Sequence, residues 1–161
     1  MTTEEYNNSV DRYSDGLYRF ILKNIKDQDK ARDIIQDTYE KLWQKVSDVS
    51  AEKVKSYLFT TAYHTMIDLI RKEKRVEEFD KVNPEDYSHT DHYSDLQEIL
   101  HKAIDKLPEI QRSVILLRDY EGYSYNEIGQ ITGLSEAQVK VYIYRGRNFL
   151  KNYISKIENV I

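Results

Sequence analysis

The sequence predicts an all-α chain of two small helical units, the first of three to four helices and the second of four, joined by an acidic flexible linker. Three observations predict it. Only five Gly and two Pro interrupt 161 residues, too few for the turns of a sheet protein. Apolar positions advance by three or four along most of the chain. Over residues 76–92 that periodicity is lost, and acidic side chains gather around Pro84.

The first helix is expected over about Thr3 to Lys23. The second covers Asp29 to Val46, with Ala31, Ile34, Ile35, Thr38, Leu42 and Val46 on one face. Ser47-Asp48-Val49-Ser50 breaks it, and a third helix spans roughly Glu52 to Lys74. Its stripe of Val54, Leu58, Ala62, Thr65 and Leu69 is widened by Met66, Ile67 and Ile70, which predicts burial around much of its circumference.

After the linker, Ser94-Asp95-Leu96-Gln97 fits a capping box, in which side chains satisfy the orphan N–H groups of a helix start. That helix ends at Leu107, and Pro108 suits the first position of the next, where a missing N–H is harmless. Gly122 marks the turn after Tyr120. Ser124 with Glu127 forms a second box, and Ser135 with Gln138 a third. Gly133 between them can take the left-handed conformation that closes a helix. The last helix carries Val139, Ile143, Gly146 and Leu150 on one face.

Composition narrows the function. With no Cys there can be no disulfide or thiol nucleophile, which suits a cytoplasmic protein. No apolar run approaches a membrane span, and the acidic N-terminus is unlike a signal peptide. A net charge of −4 argues against a protein that binds DNA unaided. The charge is patterned, however. Residues 52–75 carry six basic against three acidic side chains, residues 76–98 one against eight, and residues 136–151 four against one.

A short capped helix, a glycine turn and a longer basic helix make a helix-turn-helix. The buried stripe of the second helix leaves its opposite face for the major groove. On that face lie Glu136, Lys140, Val141, Tyr144 and Arg145, with Arg147 and Lys151 as phosphate partners. A plain helical hairpin with solvated Lys and Arg is the alternative, and two consecutive boxed helices around Gly133 favour DNA.

The N-terminal half identifies the kind of DNA-binding protein. Ala31-Arg32-Asp33-Ile34-Ile35-Gln36-Asp37-Thr38-Tyr39-Glu40-Lys41-Leu42-Trp43 resembles region two of sigma-70-type factors, A-x-D-L-x-Q-[DE]-[TA]-[FY]-x-x-x-W. The stretch from Tyr57 to Lys72 resembles the segment that follows, W-L-x-x-I-A-x-N-x-x-I-D-x-x-R. Leu107 to Arg112, Gly122 to Ile128, Gly133-Leu134-Ser135 and Val139-Lys140 follow region four in order. From about residue 10 to 155 the chain resembles the extracytoplasmic-function (ECF) group of sigma factors, which direct RNA polymerase to promoters and are not enzymes.

The resemblance implies roles. Residues 1–75 would be sigma region two and residues 93–161 region four. Asp33, Gln36, Asp37 and Glu40 would dock on the clamp of the polymerase β′ subunit, and region four would meet the β flap. Lys53, Lys55, Tyr63, His64, Arg71, Lys72 and Lys74 would recognise the minus-ten element and hold its separated strand, since cations and aromatic faces suit an unstacked base. Alternatives remain for some of these. Tyr57 and Tyr63 can be core residues, and Lys72, Lys74 and Arg75 can simply offset a helix dipole. The C-terminal helix-turn-helix would bind the minus-thirty-five element. The acidic linker either threads a basic polymerase channel or is a solvated tether. An anti-sigma factor is implied as a further partner, the free protein would be a monomer, and no cofactor or metal is expected.

Several residues depart from the family pattern. His64 stands where Asn is usual, Tyr57 where Trp is usual, and Val141-Tyr142 where Ser-Arg is common. Gly146 replaces a usual Ala, at about 1 kcal/mol of helix propensity.

Two rival functions fit less well. A stand-alone helix-turn-helix regulator would be basic overall and would have no use for the block at 31–43. A metal-dependent hydrolase would need ligands at productive spacing. Asp33 and Asp37 share one helix, but His64, His89, His92 and His101 form no H-E-x-x-H pattern, and no Gly-rich phosphate loop occurs.

Overall fold

The computed structural model describes residues 1–80 and 96–160, and all regular structure in them is helical. The N-terminal unit holds α1 (Thr3–Ile25), α2 (Gln28–Gln44) and α3 (Val54–Asp80). The C-terminal unit holds α4 (Leu96–Asp105), α5 (Glu109–Ile115), a π-helical turn over Leu116–Tyr120, α6 (Tyr125–Thr132) and α7 (Glu136–Val160). The expected all-α, two-unit organisation is therefore found.

Local chemistry fixes the helix starts. Thr2 and Glu5 form a capping box at α1, and the Asp27 carboxylate accepts from the Lys30 N–H at α2. Ser124 and Glu127 form the expected box at α6. Ser135 and Gln138 exchange the same pair of bonds at α7.

Some boundaries differ from the expectation. α3 runs to Asp80, so the N-terminal unit continues as helix past residue 75. Pro108 precedes α5 in extended conformation (φ −52°, ψ 146°) and is its N-cap, not its first residue. The remaining linker residues, and Ser94 and Asp95 of the first expected box, lie outside the described residues.

In the N-terminal unit the three helices pack on one another around Leu17, Phe20, Ile21, Ile34, Leu42, Leu58, Phe59, Ala62 and Met66, all 3% exposed or less. In the C-terminal unit α7 packs on α4, α5 and α6 around Ile104, Leu107, Ile115, Leu117, Ile128, Val139 and Ile143.

The units also pack against each other, α1 on α5 and α3 on α6. Phe20, Phe59 and Tyr123 form a row across the seam, with ring centroids 5.8 and 5.3 Å apart. The Ser113 hydroxyl donates to the Asn24 side-chain carbonyl at 3.0 Å, with both residues buried. Arg112 donates to the backbone carbonyls of Asn24 (3.0 Å), Ile104 (3.3 Å), Asp105 (3.3 Å) and Leu107 (2.8 Å), so one guanidinium closes the end of α4 and ties it to α1. Arg19 pairs with Glu121 at 2.9 Å, the Glu121 side chain being almost fully covered.

Candidate nucleic-acid and polymerase interface

The helix-turn-helix is built by close approach of α6 to the start of α7. Gly133 closes α6 at φ 80°, the left-handed region that glycine enters without strain. A side chain at Gly129 would bring its Cβ within 2.8 Å of the Leu134 carbonyl oxygen, so the turn folds tightly under α6 only because glycine is there. Ile128 and Ile131 of α6 and Val139 and Ile143 of α7 are buried, so α6 braces α7.

Gly146 has a packing reason. A Cβ there would overlap the end of the Ile115 side chain. The missing side chain lets α5 and α7 approach closely, which offsets the glycine's weaker helix propensity.

Glu136, Lys140, Val141, Tyr144, Arg145 and Arg147 are all exposed on α7. The Lys140 ammonium lies 3.7 Å from Glu136 Oε1 and 5.7 Å from the centroid of the Tyr125 ring. Arg147 is more firmly held: it donates to both Asp119 carboxylate oxygens, at 2.6 and 3.3 Å, and this raises its pKa above the ordinary guanidinium value. Exposed pairs of this kind contribute little and exchange readily for phosphate.

The minus-ten candidates separate into groups. His64, Arg71 and Lys72 are exposed on α3 at positions that share one face, with Arg75 one turn beyond. Lys53 is exposed just before α3, roughly 27 Å from Arg71 at the helical rise. Lys74 is exposed and faces Glu109 of α5 at 3.8 Å. Lys55 is half-buried, its ammonium 4.8 Å from the centroid of the Tyr123 ring across the seam. Tyr63 departs from the expectation of an available aromatic face: it is 5% exposed, and burial pushes its phenol pKa up. Tyr57 is half-buried.

On α2, Asp33, Gln36 and Glu40 are exposed along one stripe, and Asp37 is half-buried and paired with Lys41 at 3.0 Å. The stripe ends in a residue that reasoning from sequence left out of the site. Trp43 is 49% exposed, its ring held edge-on by Tyr6 at a centroid distance of 5.0 Å. The signal was present, because Trp43 falls three residues after Glu40, off the buried face of Ala31, Ile34, Thr38 and Leu42. Among the described residues, no cluster of His, Cys, Asp or Glu could hold a metal ion, and no helix is long and apolar enough to cross a membrane.

The family model for sigma-70 region 2 matches residues 10–76, and that for sigma-70 region 4 matches residues 97–150. The chain is 34% identical to the RNA polymerase sigma factor SigV of Bacillus subtilis, over 87% of this chain and 85% of that protein. It is 30% identical to the ECF RNA polymerase sigma factor SigE of Mycolicibacterium smegmatis, over 91% of this chain and 60% of that protein. Among solved structures, the sigma factor RpoE of Bartonella quintana, in complex with the anti-sigma factor NepR, superposes with a TM-score of 0.80 at 27% identity, covering 95% of this chain and 98% of that one. That match spans both helical units at once. With both sigma-70 regions in their proper order on one chain, the protein belongs to the sigma-70 family of RNA polymerase sigma factors, in its ECF group.

Proposed function

We propose that this protein binds bacterial core RNA polymerase and directs it to a set of promoters, with α7 reading the minus-thirty-five element and the N-terminal unit recognising and opening the minus-ten element. The observation that carries this reading is the presence, on one chain, of a helix-turn-helix whose outward face is flanked by Lys140 and Arg145 and an α2 stripe of Asp33, Gln36, Glu40 and Trp43. The first is suited to duplex DNA and the second to a basic protein surface. A regulator acting alone has use for the first only.

The division of labour follows from the chemistry. The α2 stripe docks on the β′ clamp, and region four meets the β flap. Lys140, Arg145 and Arg147 neutralise phosphates while the outer face of α7 meets base edges. His64, Arg71, Lys72 and Lys53 hold the strand that separates at the minus-ten element. Lys55 joins them once the two units part, because its ammonium lies against the Tyr123 ring of the other unit in the packed arrangement. A packed arrangement shared with a sigma factor held by its anti-sigma factor supports an anti-sigma factor as a second partner. The protein acts in the cytoplasm, as a monomer when free.

Gel filtration with purified core polymerase tests the first step. Co-elution in a one-to-one complex is expected, and migration of the two as separate species contradicts the reading.

A further inference from the structure

The outer face of α7 is apolar along its centre line. At 100° per residue, Ala137, Val141 and Tyr144 fall within about 60° of arc. The buried residues Val139, Ile143, Gly146 and Leu150 lie on the opposite side of the helix. Val141 is 44% exposed and Tyr144 69%, so this strip points straight away from the protein. Lys140 sits about 40° beyond one edge of the strip, and Arg145 about 40° beyond the other. A helix with cations along both flanks and apolar groups between them is complementary to a groove with phosphates on both walls.

The polar side chains that read bases by paired hydrogen bonds are scarce here. Gln138 is occupied, since its side-chain oxygen accepts from the Ser135 N–H in the cap of α7. Glu136 faces Lys140. Over the first three turns the outward centre line carries no Asn, Gln or Arg. In the major groove the one apolar feature that distinguishes a base pair is the thymine 5-methyl group.

We propose that Ala137, Val141 and Tyr144 form a methyl-reading strip, so that the minus-thirty-five element is selected for thymines at two or three positions through their 5-methyl groups. This rests on the reading of α7 as the helix that enters the major groove. It adds the chemical class of base pair that α7 selects and the residues that select it.

The test uses polymerase loaded with this protein. A duplex library randomised at the minus-thirty-five element is selected for binding, and the winning sequence is then remade with deoxyuridine for thymine in that element alone, which removes the methyl groups and keeps every hydrogen bond. Enrichment of thymine is expected, with binding about four-fold weaker for each contacted methyl removed. The difference between the two templates should shrink to at most one methyl contact in Val141→Ser/Tyr144→Ser, in which only Ala137 of the strip remains. Equal binding of the thymine and deoxyuridine templates by the unaltered protein overturns the proposal. If Lys140→Ala/Arg145→Ala still weakens binding at that element, α7 nonetheless occupies the groove and only the methyl reading fails; if it has no effect, the placement of α7 fails too. Loss of core polymerase binding in the Val141→Ser/Tyr144→Ser protein, with no deoxyuridine effect, assigns the strip to a protein contact and also overturns the proposal.

Discussion

Asn24 of α1 and Ser113 of α5 meet across the seam between the two helical units, 3.0 Å apart and out of reach of solvent. Asn24 is engaged further: its amide donates to the Phe20 carbonyl at 2.8 Å, and its own backbone carbonyl accepts from Arg112 at 3.0 Å. A polar pair of this kind stabilises one arrangement of the units over others, because parting them without water leaves a buried group unpaired.

Asn24→Ala therefore leaves the Ser113 hydroxyl buried without its acceptor and should lower unfolding stability by about 1–3 kcal/mol. Ser113→Ala in the Asn24→Ala background should lose less than either change alone, because the partner is already gone. Urea unfolding of the four proteins measures the coupling, and strict additivity would show that the bond contributes nothing.

Gly146→Ala raises helix propensity by about 1 kcal/mol but drives a methyl group into Ile115. Overpacking costs about 1–3 kcal/mol, so the substitution should destabilise on balance. Ile115→Val beside it should restore part of the loss. Thermal unfolding decides the sign, and a stabilised Gly146→Ala protein would mean that α5 and α7 separate without penalty.

The Glu127 carboxyl is held below its ordinary value, chiefly by the bond it accepts from the Ser124 backbone N–H and then by the bond with the Ser124 side chain. A lowered folded pKa contributes stability that is present above the unfolded value near 4.5 and fades as pH falls through the folded one. Glu127→Gln keeps an acceptor and does not titrate. Between pH 5 and pH 3 the wild-type melting temperature should fall further than that of Glu127→Gln; parallel curves would exclude the contribution.

How much of this was legible in the sequence depends on the range of the interaction. Boxes such as Ser124–Glu127 and Ser135–Gln138 link residues three positions apart, and the structure forms both as read. The inward face of α7 followed from spacing alone. The burial of Tyr63, the engagement of Lys55 by Tyr123 and the need for glycine at position 146 all arise from residues more than thirty positions away or from another helix, and no periodicity encodes them. Trp43 was missed because a large apolar residue is ordinarily assigned to a core.

Trp43 and Glu40 share the α2 stripe, and neither supports the core. Glu40→Lys combined with Trp43→Ala should weaken core polymerase binding by at least about ten-fold, in keeping with a buried aromatic anchor beside a charge contact. The circular dichroism spectrum should not change. Undiminished recovery of core enzyme in a pull-down would remove α2 from the docking surface.

Run-off transcription reads start-site selection by this protein. Purified core polymerase is given fragmented genomic promoters with and without the protein. Discrete new transcripts are predicted in its presence, and they should be lost or sharply reduced with Lys140→Ala/Arg145→Ala. An identical set of start sites with and without the protein would contradict the account.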